Sequence, residues 1–249
     1  MSSSAWQLPP ANLSLHRGTI DLWLACADQP QSVITSCEQL LNPEEIERAQ
    51  RFYFVRHKRR FTVARAYLRS TLSQYLLIPP EQLIFEYSSH GKPSLLAEQN
   101  PQQLTFNLSH SDEWILLGIT KRDELGVDIE HFSERCEMGI AKRFFAPEEV
   151  EQLAKLPEDQ HQASFFHIWT QKEAFIKAIG EGLSYPLDEF IVSVSGDAAL
   201  HGLKQQPQQT AEWQLRSIET IIGFEAALAI QHPIEKLNYY INSHDLSKL

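Results

Sequence analysis

Apolar and polar positions follow two periods along the chain, and elements end where the period changes. Thr19-Ile20-Asp21-Leu22-Trp23-Leu24-Ala25-Cys26-Ala27 is a strongly apolar run that predicts a strand. Asn42-Pro43-Glu44-Glu45 predicts a helix start, with Asn as N-cap, Pro at the first helical position and acids in the first turn. A longer helix is predicted from His57 to Leu77. Its apolar stripe is Phe61, Ala64, Leu68, Leu72, Tyr75 and Leu76, and its other face carries Arg59, Arg60, Arg65 and Arg69, before Pro79-Pro80 stops it. Strands are predicted at Leu83–Tyr87, Leu104–Ser109, Trp114–Ile119 and Leu125–Glu130, with a turn at His90–Pro93 and a polar loop at His110–Glu113. A helix through Trp169–Ile179 ends on Gly180 and Gly182. Further strands follow at Phe190–Val194, Glu212–Ile218 and Glu225–Ile230, and residues 1–18 read as an irregular arm.

The pattern recurs at an offset of 104 residues. Pro43-Glu44-Glu45-Ile46-Glu47 is echoed by Pro147-Glu148-Glu149-Val150-Glu151, and the same offset lays Phe61 over Phe165, Ala64 over Ile168 and Leu72 over Ile176. The expectation is an α+β fold: a pseudo-dimer of two similar α/β subdomains, residues 1–122 and 123–231, with a tail at 232–249. A ligand would lie in the cleft between them. At this offset Glu173 falls on Arg69, so the second half carries acids where the first offers bases.

Composition narrows the classes. A net charge of −10 argues against a general nucleic-acid binder, which needs basic excess to neutralise phosphates. Cys26, Cys37 and Cys136 are odd in number and lack C-x-x-C spacing, as free thiols in a reducing compartment would be. No signal-peptide pattern or membrane-spanning run is visible, so a cytoplasmic chain without membrane contact is expected, and an internal pseudo-dimer suits a monomer.

The candidate chemistry lies in two stretches. Trp169, Glu173 and Lys177 stand at i, i+4 and i+8 on one helix face, while Phe165, Ile168, Phe175, Ile176 and Ile179 mostly take the other. On the strand, Asp128 and Glu130 share one side and Val127 and Ile129 the other. Three carboxylates beside a lysine suit a divalent metal next to a phosphate. Magnesium fits best, since it uses few carboxylates plus waters and phosphates, whereas zinc prefers His or Cys. Plainer readings stand beside these: Lys172 as a solvated helix lysine, Lys92 as a turn residue, His110 as a loop cap, and Arg56, Arg59 and Arg60 as a solvated face or an anion site.

Six blocks in order carry a resemblance: Gly91-Lys92-Pro93, Phe106-Asn107-Leu108-Ser109-His110-Ser111, Gly126-Val127-Asp128-Ile129-Glu130, Arg143-Phe144-Phe145, Trp169 through Lys177, and Gly180-Glu181-Gly182-Leu183. From about Pro43 to Ile230 the chain resembles the 4′-phosphopantetheinyl transferases of the broad-specificity Sfp type. The resemblance implies a coenzyme A site between the halves. Asp128, Glu130 and Glu173 would hold Mg2+ on the pyrophosphate. Lys177 and His110 would contact phosphates, Lys92 and Pro93 would flank the nucleotide, and Ser109 would lie nearby. Arg48, Arg56 and Arg60 would meet the 3′-phosphate and adenine region, although Glu45 stands where the family often has a lysine. Thr170 stands where serine is usual.

The reaction so implied is that of a holo-[acyl-carrier-protein] synthase: phosphopantetheine moves from coenzyme A to a serine of an apo acyl or peptidyl carrier protein, and 3′,5′-ADP leaves. Glu173 and Lys177 are the catalytic candidates. Glu173, directly or through metal-bound water, would take the serine proton, with a metal-bound hydroxide and Lys177 as the alternative bases. The carrier would dock on residues 131–148, where Met138, Ile140, Phe144 and Phe145 would form an apolar patch flanked by Arg135, Lys142 and Arg143. The opposing reading puts Phe144 and Phe145 in the core.

Overall fold

The structure is a computed structural model that describes residues 6–132 and 138–241. The first lobe runs β1 (Thr19–Cys26), α1 (Gln31–Glu38), α2 (Pro43–Gln50), α3 (Val55–Leu76), β2 (Phe85–Tyr87), β3 (Pro93–Leu95), β4 (Leu104–Ser111) and β5 (Trp114–Lys121). The second runs β6 (Leu125–His131), α4 (Met138–Phe144), α5 (Pro147–Lys155), α6 (Glu158–Ile179), β7 (Phe190–Val192), β8 (Leu200–Leu203), β9 (Trp213–Ser217) and β10 (Phe224–Gln231). The long helices α3 and α6 have 22 residues each, and each lobe adds a short two-stranded hairpin after its helix. The fold is α+β, built from two similar sheet-and-helix subdomains.

One strand departs from that symmetry. Residues 232–249 were expected as a tail, but β11 (Lys236–Ile241) pairs in parallel with β1 and gives the first sheet the order β11-β1-β5-β4. The N-terminal arm is irregular yet held down: Trp6 is buried against Tyr239, and Gln7 donates to the Tyr239 carbonyl and accepts from the Ile241 N–H. The second sheet has the order β6-β10-β9.

The two sheets bury one face each against the other. Ile20, Leu22, Leu24 and Leu116 meet Leu125, Val127, Ile129, Leu228 and Ile230 in one apolar cluster. The alternate residues of each sheet face their own helix. Trp23, Leu117 and Phe106 pack on Leu68, Leu72 and Tyr75 of α3, while Ala227 and Ala229 lie under Phe165, Phe175 and Ile176 of α6. β1 is therefore covered on both faces, which explains its near-continuous apolar run. Its one acid, Asp21, is buried but accepts from the Tyr75 hydroxyl at 2.6 Å and the Asn238 amide at 2.7 Å, tying α3 and β11 to β1. Among the described residues, no helix is long and apolar enough to cross a membrane.

The repeat is also written in buried charge. Glu45 and Glu149 both occupy the third position of their short helices and reach back to the N-cap backbone. Glu45 accepts from Arg69, whose guanidinium also donates to the Pro80 and Leu83 carbonyls. Glu149 pairs at 2.9 Å with Lys172, whose ammonium donates to the Leu187 and Phe190 carbonyls. In each lobe a cation of the long helix thus clamps the start of the short helix and the turn before the hairpin. Two expectations fall here. Lys172 is fully buried rather than solvated, and Arg69 points into its own lobe instead of offering a base to the cleft. Each would leave its partner carboxylate unpaired if it turned outward, and buried unpaired charge is expensive.

Candidate active site

The site forms where β6 lies against α6 on one side and β4 on the other. On β6, Gly126, Asp128 and Glu130 point toward α6 while Leu125, Val127 and Ile129 point into the inter-sheet core. Gly126 sets the spacing. A Cβ there would stand 2.0 Å from the Ala174 carbonyl oxygen and 2.5 Å from the Ala178 nitrogen, so only glycine admits the helix this close. That approach brings the Glu173–Lys177 face onto the strand's acids. Lys177 Nζ lies 2.5 Å from Asp128 Oδ1 and 3.0 Å from Ser109 Oγ.

β4 supplies the other wall through alternate residues. Asn107 Oδ1 accepts from the Val127 N–H at 2.9 Å, Ser109 donates to Asp128 at 2.8 Å, and Ser111 donates to Glu130 at 2.7 Å. Polar side chains on one strand thus register with the carboxylates on another. Asn107 and Ser111 are not among the residues expected at the site. The signal was present as N-x-S-x-S, whose period of two matches D-x-E. His110 and Ser111, expected in a loop, both continue β4, and the chain turns at Asp112, which has φ 45°.

The charges are crowded. Burial and the neighbouring Asp128 charge push the Glu130 carboxyl up to about 7. Burial also raises Glu173, and Lys177 only partly offsets this. Burial works against the Lys177 ammonium, yet Asp128, Glu173 and Glu130 outweigh it, and its pKa lies above the usual lysine range. His110 is lowered by the surrounding protein and by the Lys177 and Arg60 charges.

A divalent cation fits this donor set. Asp128 Oδ2 is buried with no hydrogen-bond partner among the described residues, and burial and the Asp128 charge raise both Glu130 and Glu173 while Lys177 offsets this only in part. Among the described residues, however, no three acidic, histidine or cysteine side chains converge as a ready metal cage. Asp128 Oδ1 is held by Lys177 and Ser109, and Glu130 Oε2 by Ser111.

Beside the acids a cleft of about 450 Å³ opens between the lobes, lined by Phe52, Arg56 and Arg60 of the first lobe, His110 and Ser111 of β4, and Glu130 of β6. Arg56 and Arg60 therefore lie where an anion would enter, but Arg60 is already engaged by Asp28 on two atoms and by Asp112. Arg48 lies apart, stacked over Phe61 in a neighbouring groove with Arg51, Arg65 and Tyr87. Lys92 is neither a free turn lysine nor an open anion receptor. It crosses to the second lobe, donating to the Ala178 carbonyl at 2.6 Å and to Glu124 at 3.1 Å, where the α6 C-terminus favours a cation. Pro93 lines a third cleft with Tyr87, Thr105 and Phe106. Glu45, where a lysine was the family expectation, is spent on the internal clamp with Arg65 and Arg69.

Trp169 stacks on Phe165 and meets Phe144 and Phe145. Phe145 is buried, and Met138, Ile140 and Phe144 pack onto the second lobe's core, so their apolar surface is largely covered. Arg143 lies over the Phe144 ring. Arg135 falls outside the described residues.

Each lobe is similar to a known protein family. Residues 124–230 match the 4′-phosphopantetheinyl transferase superfamily, and residues 27–121 match the N-terminal region described as 4′-phosphopantetheinyl transferase, N-terminal. The chain is 40% identical over 198 residues to the 4′-phosphopantetheinyl transferase HetI of Nostoc sp., covering 78% of this chain and 82% of HetI. It is 30% identical over 193 residues to the 4′-phosphopantetheinyl transferase Sfp of Bacillus subtilis, covering 78% and 83%. Among solved structures, the Thermotoga maritima holo-[acyl-carrier-protein] synthase aligns with 44% of this chain and 63% of its own, at 20% identity and a TM-score of 0.36. With both lobes matched and HetI similar over most of each chain, this protein belongs to the 4′-phosphopantetheinyl transferase superfamily.

Proposed function

We propose that the chain is a transferase of the broad-specificity Sfp type. It moves 4′-phosphopantetheine from coenzyme A to a serine of an apo acyl or peptidyl carrier protein and releases 3′,5′-ADP. The observation that carries this reading is the junction of Asp128, Glu130, Glu173 and Lys177 beside the inter-lobe cleft. The similarity to Sfp and HetI over both lobes supports the subtype.

Asp128, Glu130 and Glu173 would hold Mg2+, which when bound supplies positive charge to the pyrophosphate and to the departing nucleotide. Lys177 is fixed by Asp128 and Ser109 and stays charged at neutral pH, so it stabilises the same oxygens and is a poor base. Glu173, on the α6 face that meets the strand's acids, would be the base that takes the carrier serine's proton as the oxygen attacks the β-phosphorus. His110 stands at the cleft wall as a neutral imidazole and donates its N–H to a phosphate oxygen. Arg56 and Arg60 would meet the nucleotide end from the cleft beside His110, while Arg48 and the Lys92-Pro93 turn would reach it from the neighbouring grooves, with Arg60 and Lys92 exchanging their protein partners for it on binding.

Incubation with coenzyme A, Mg2+ and an apo carrier tests the reading by intact mass. The carrier gains one phosphopantetheine, and Asp128→Ala and Glu173→Ala lose the activity while remaining folded. Wild-type turnover in either variant would refute the assignment of these acids.

A further inference from the structure

The step between α2 and α3 breaks local rules in a consistent direction. Phe52, Tyr53, Phe54 and Val55 are 40, 91, 61 and 68% exposed, four successive large apolar side chains left in solvent. Phe54 occupies the N-cap of α3 and makes no capping hydrogen bond, where Ser, Thr, Asp or Asn would satisfy the helix. The first turn that follows holds Arg56, His57 and Lys58 and no acid, against the helix dipole. Arg48 to Arg60 carries six of the chain's 22 lysines and arginines and no acid, in a protein of net charge −10. A sequence that forgoes a cap, exposes aromatics and collects cations in one place has a reason outside its own stability.

The patch is also continuous with the cleft. Phe52 and Arg56 line the opening that contains His110, Ser111 and Glu130. Tyr53 and Phe54 contact edge to face, and Phe54 meets the His57 ring, which gives the surface a fixed aromatic shape. Among the described residues of the segment expected to receive the carrier, Phe145 is buried and Met138, Ile140 and Phe144 pack onto the core.

We infer that Phe52-Tyr53-Phe54-Val55, with its rim of Arg51 and Arg59, is the docking surface for an acidic, amphipathic helix of the apo carrier domain, set so that the carrier's serine faces the cleft. This rests on the transferase reading above. The aromatics supply the apolar anchors and the cations steer and orient the acidic partner.

The test is the double substitution Tyr53→Ser/Phe54→Ser in the full chain, assayed by intact mass with an apo carrier. Both side chains are exposed and Phe54→Ser supplies the missing N-cap of α3, so the unfolding midpoint does not fall. The carrier KM rises at least about tenfold, as loss of interface anchors does. The coenzyme A KM and kcat stay within about twofold, and the wild-type carrier KM rises with salt. Met138→Ala leaves the carrier KM unchanged. An unchanged carrier KM in the double variant overturns the inference, as does a rise produced by Met138→Ala instead. Two other results overturn it when the carrier KM is unchanged: a wild-type dimer by sedimentation that the double variant loses, or binding to anionic phospholipid vesicles that it loses. A wild-type chain that transfers nothing to any carrier fails earlier, at the transferase reading itself, and takes the docking assignment with it.

Discussion

Gly126→Ala adds one methyl group at the closest approach of α6 to β6. The new Cβ would meet the Ala174 oxygen at 2.0 Å and the Ala178 nitrogen at 2.5 Å, whereas real Cβ contacts do not fall under 3.0 Å. Both atoms are helix backbone, so no side-chain rotation relieves the clash, and α6 must withdraw by about 1 Å or more along its last two turns. Overpacking a core by a methylene or two costs roughly 1–3 kcal/mol. A backbone clash with apolar neighbours on both sides belongs at the upper end, about 3 kcal/mol. For a chain of this size each kcal/mol moves the midpoint by about 2–4 °C, so a drop of roughly 6–12 °C is expected. Asp128 is two residues away and Lys177 sits on the displaced turn, so the 2.5 Å contact between them lengthens as well. Calorimetry gives the midpoint, and intact-mass kinetics gives transfer with coenzyme A. A variant that melts within 1 °C of wild type by calorimetry would refute the argument that this glycine sets the helix-to-strand distance.

The remaining predictions concern the clamps and the last strand. Lys172→Met strands the buried Glu149 and costs about 3–5 kcal/mol in urea unfolding, while the Glu149→Leu/Lys172→Met pair costs less than the sum of its parts. Glu45 is held below the usual glutamate range: burial would raise it, but Arg69 and Arg65 prevail. Its contribution is therefore full above its unfolded value and is lost as pH falls through the lower folded one, so Glu45→Gln flattens the acid limb of the midpoint-versus-pH curve. Truncation before Lys236 exposes the β1 edge and leaves Asp21 without Asn238. It lowers the midpoint and raises light scattering on heating, whereas a dispensable tail would change neither.

Much of this was legible in the sequence because it depends on local period. The alternation that turns Asp128 and Glu130 to one side of β6 follows from strand geometry, and the Glu173–Lys177 stripe follows from helix geometry. The Asn42 cap and the Gly180 stop, at φ 77°, are local chemistry too. The 104-residue echo carried the two-lobed architecture, because equivalent elements must bury equivalent faces.

What the sequence left open were pairings between distant residues, which period cannot encode. A lysine or arginine on a helix reads as solvated until the fold sets a buried glutamate opposite it, as Glu149 is set opposite Lys172 and Glu45 opposite Arg69. The strand after residue 232 is short and polar enough to pass for a tail, and only the open edge of β1 makes it a strand. The sequence by itself determined which side chains share a face. The tertiary structure alone decided which faces meet, because burial and hydrogen-bond satisfaction are settled between elements and not within them.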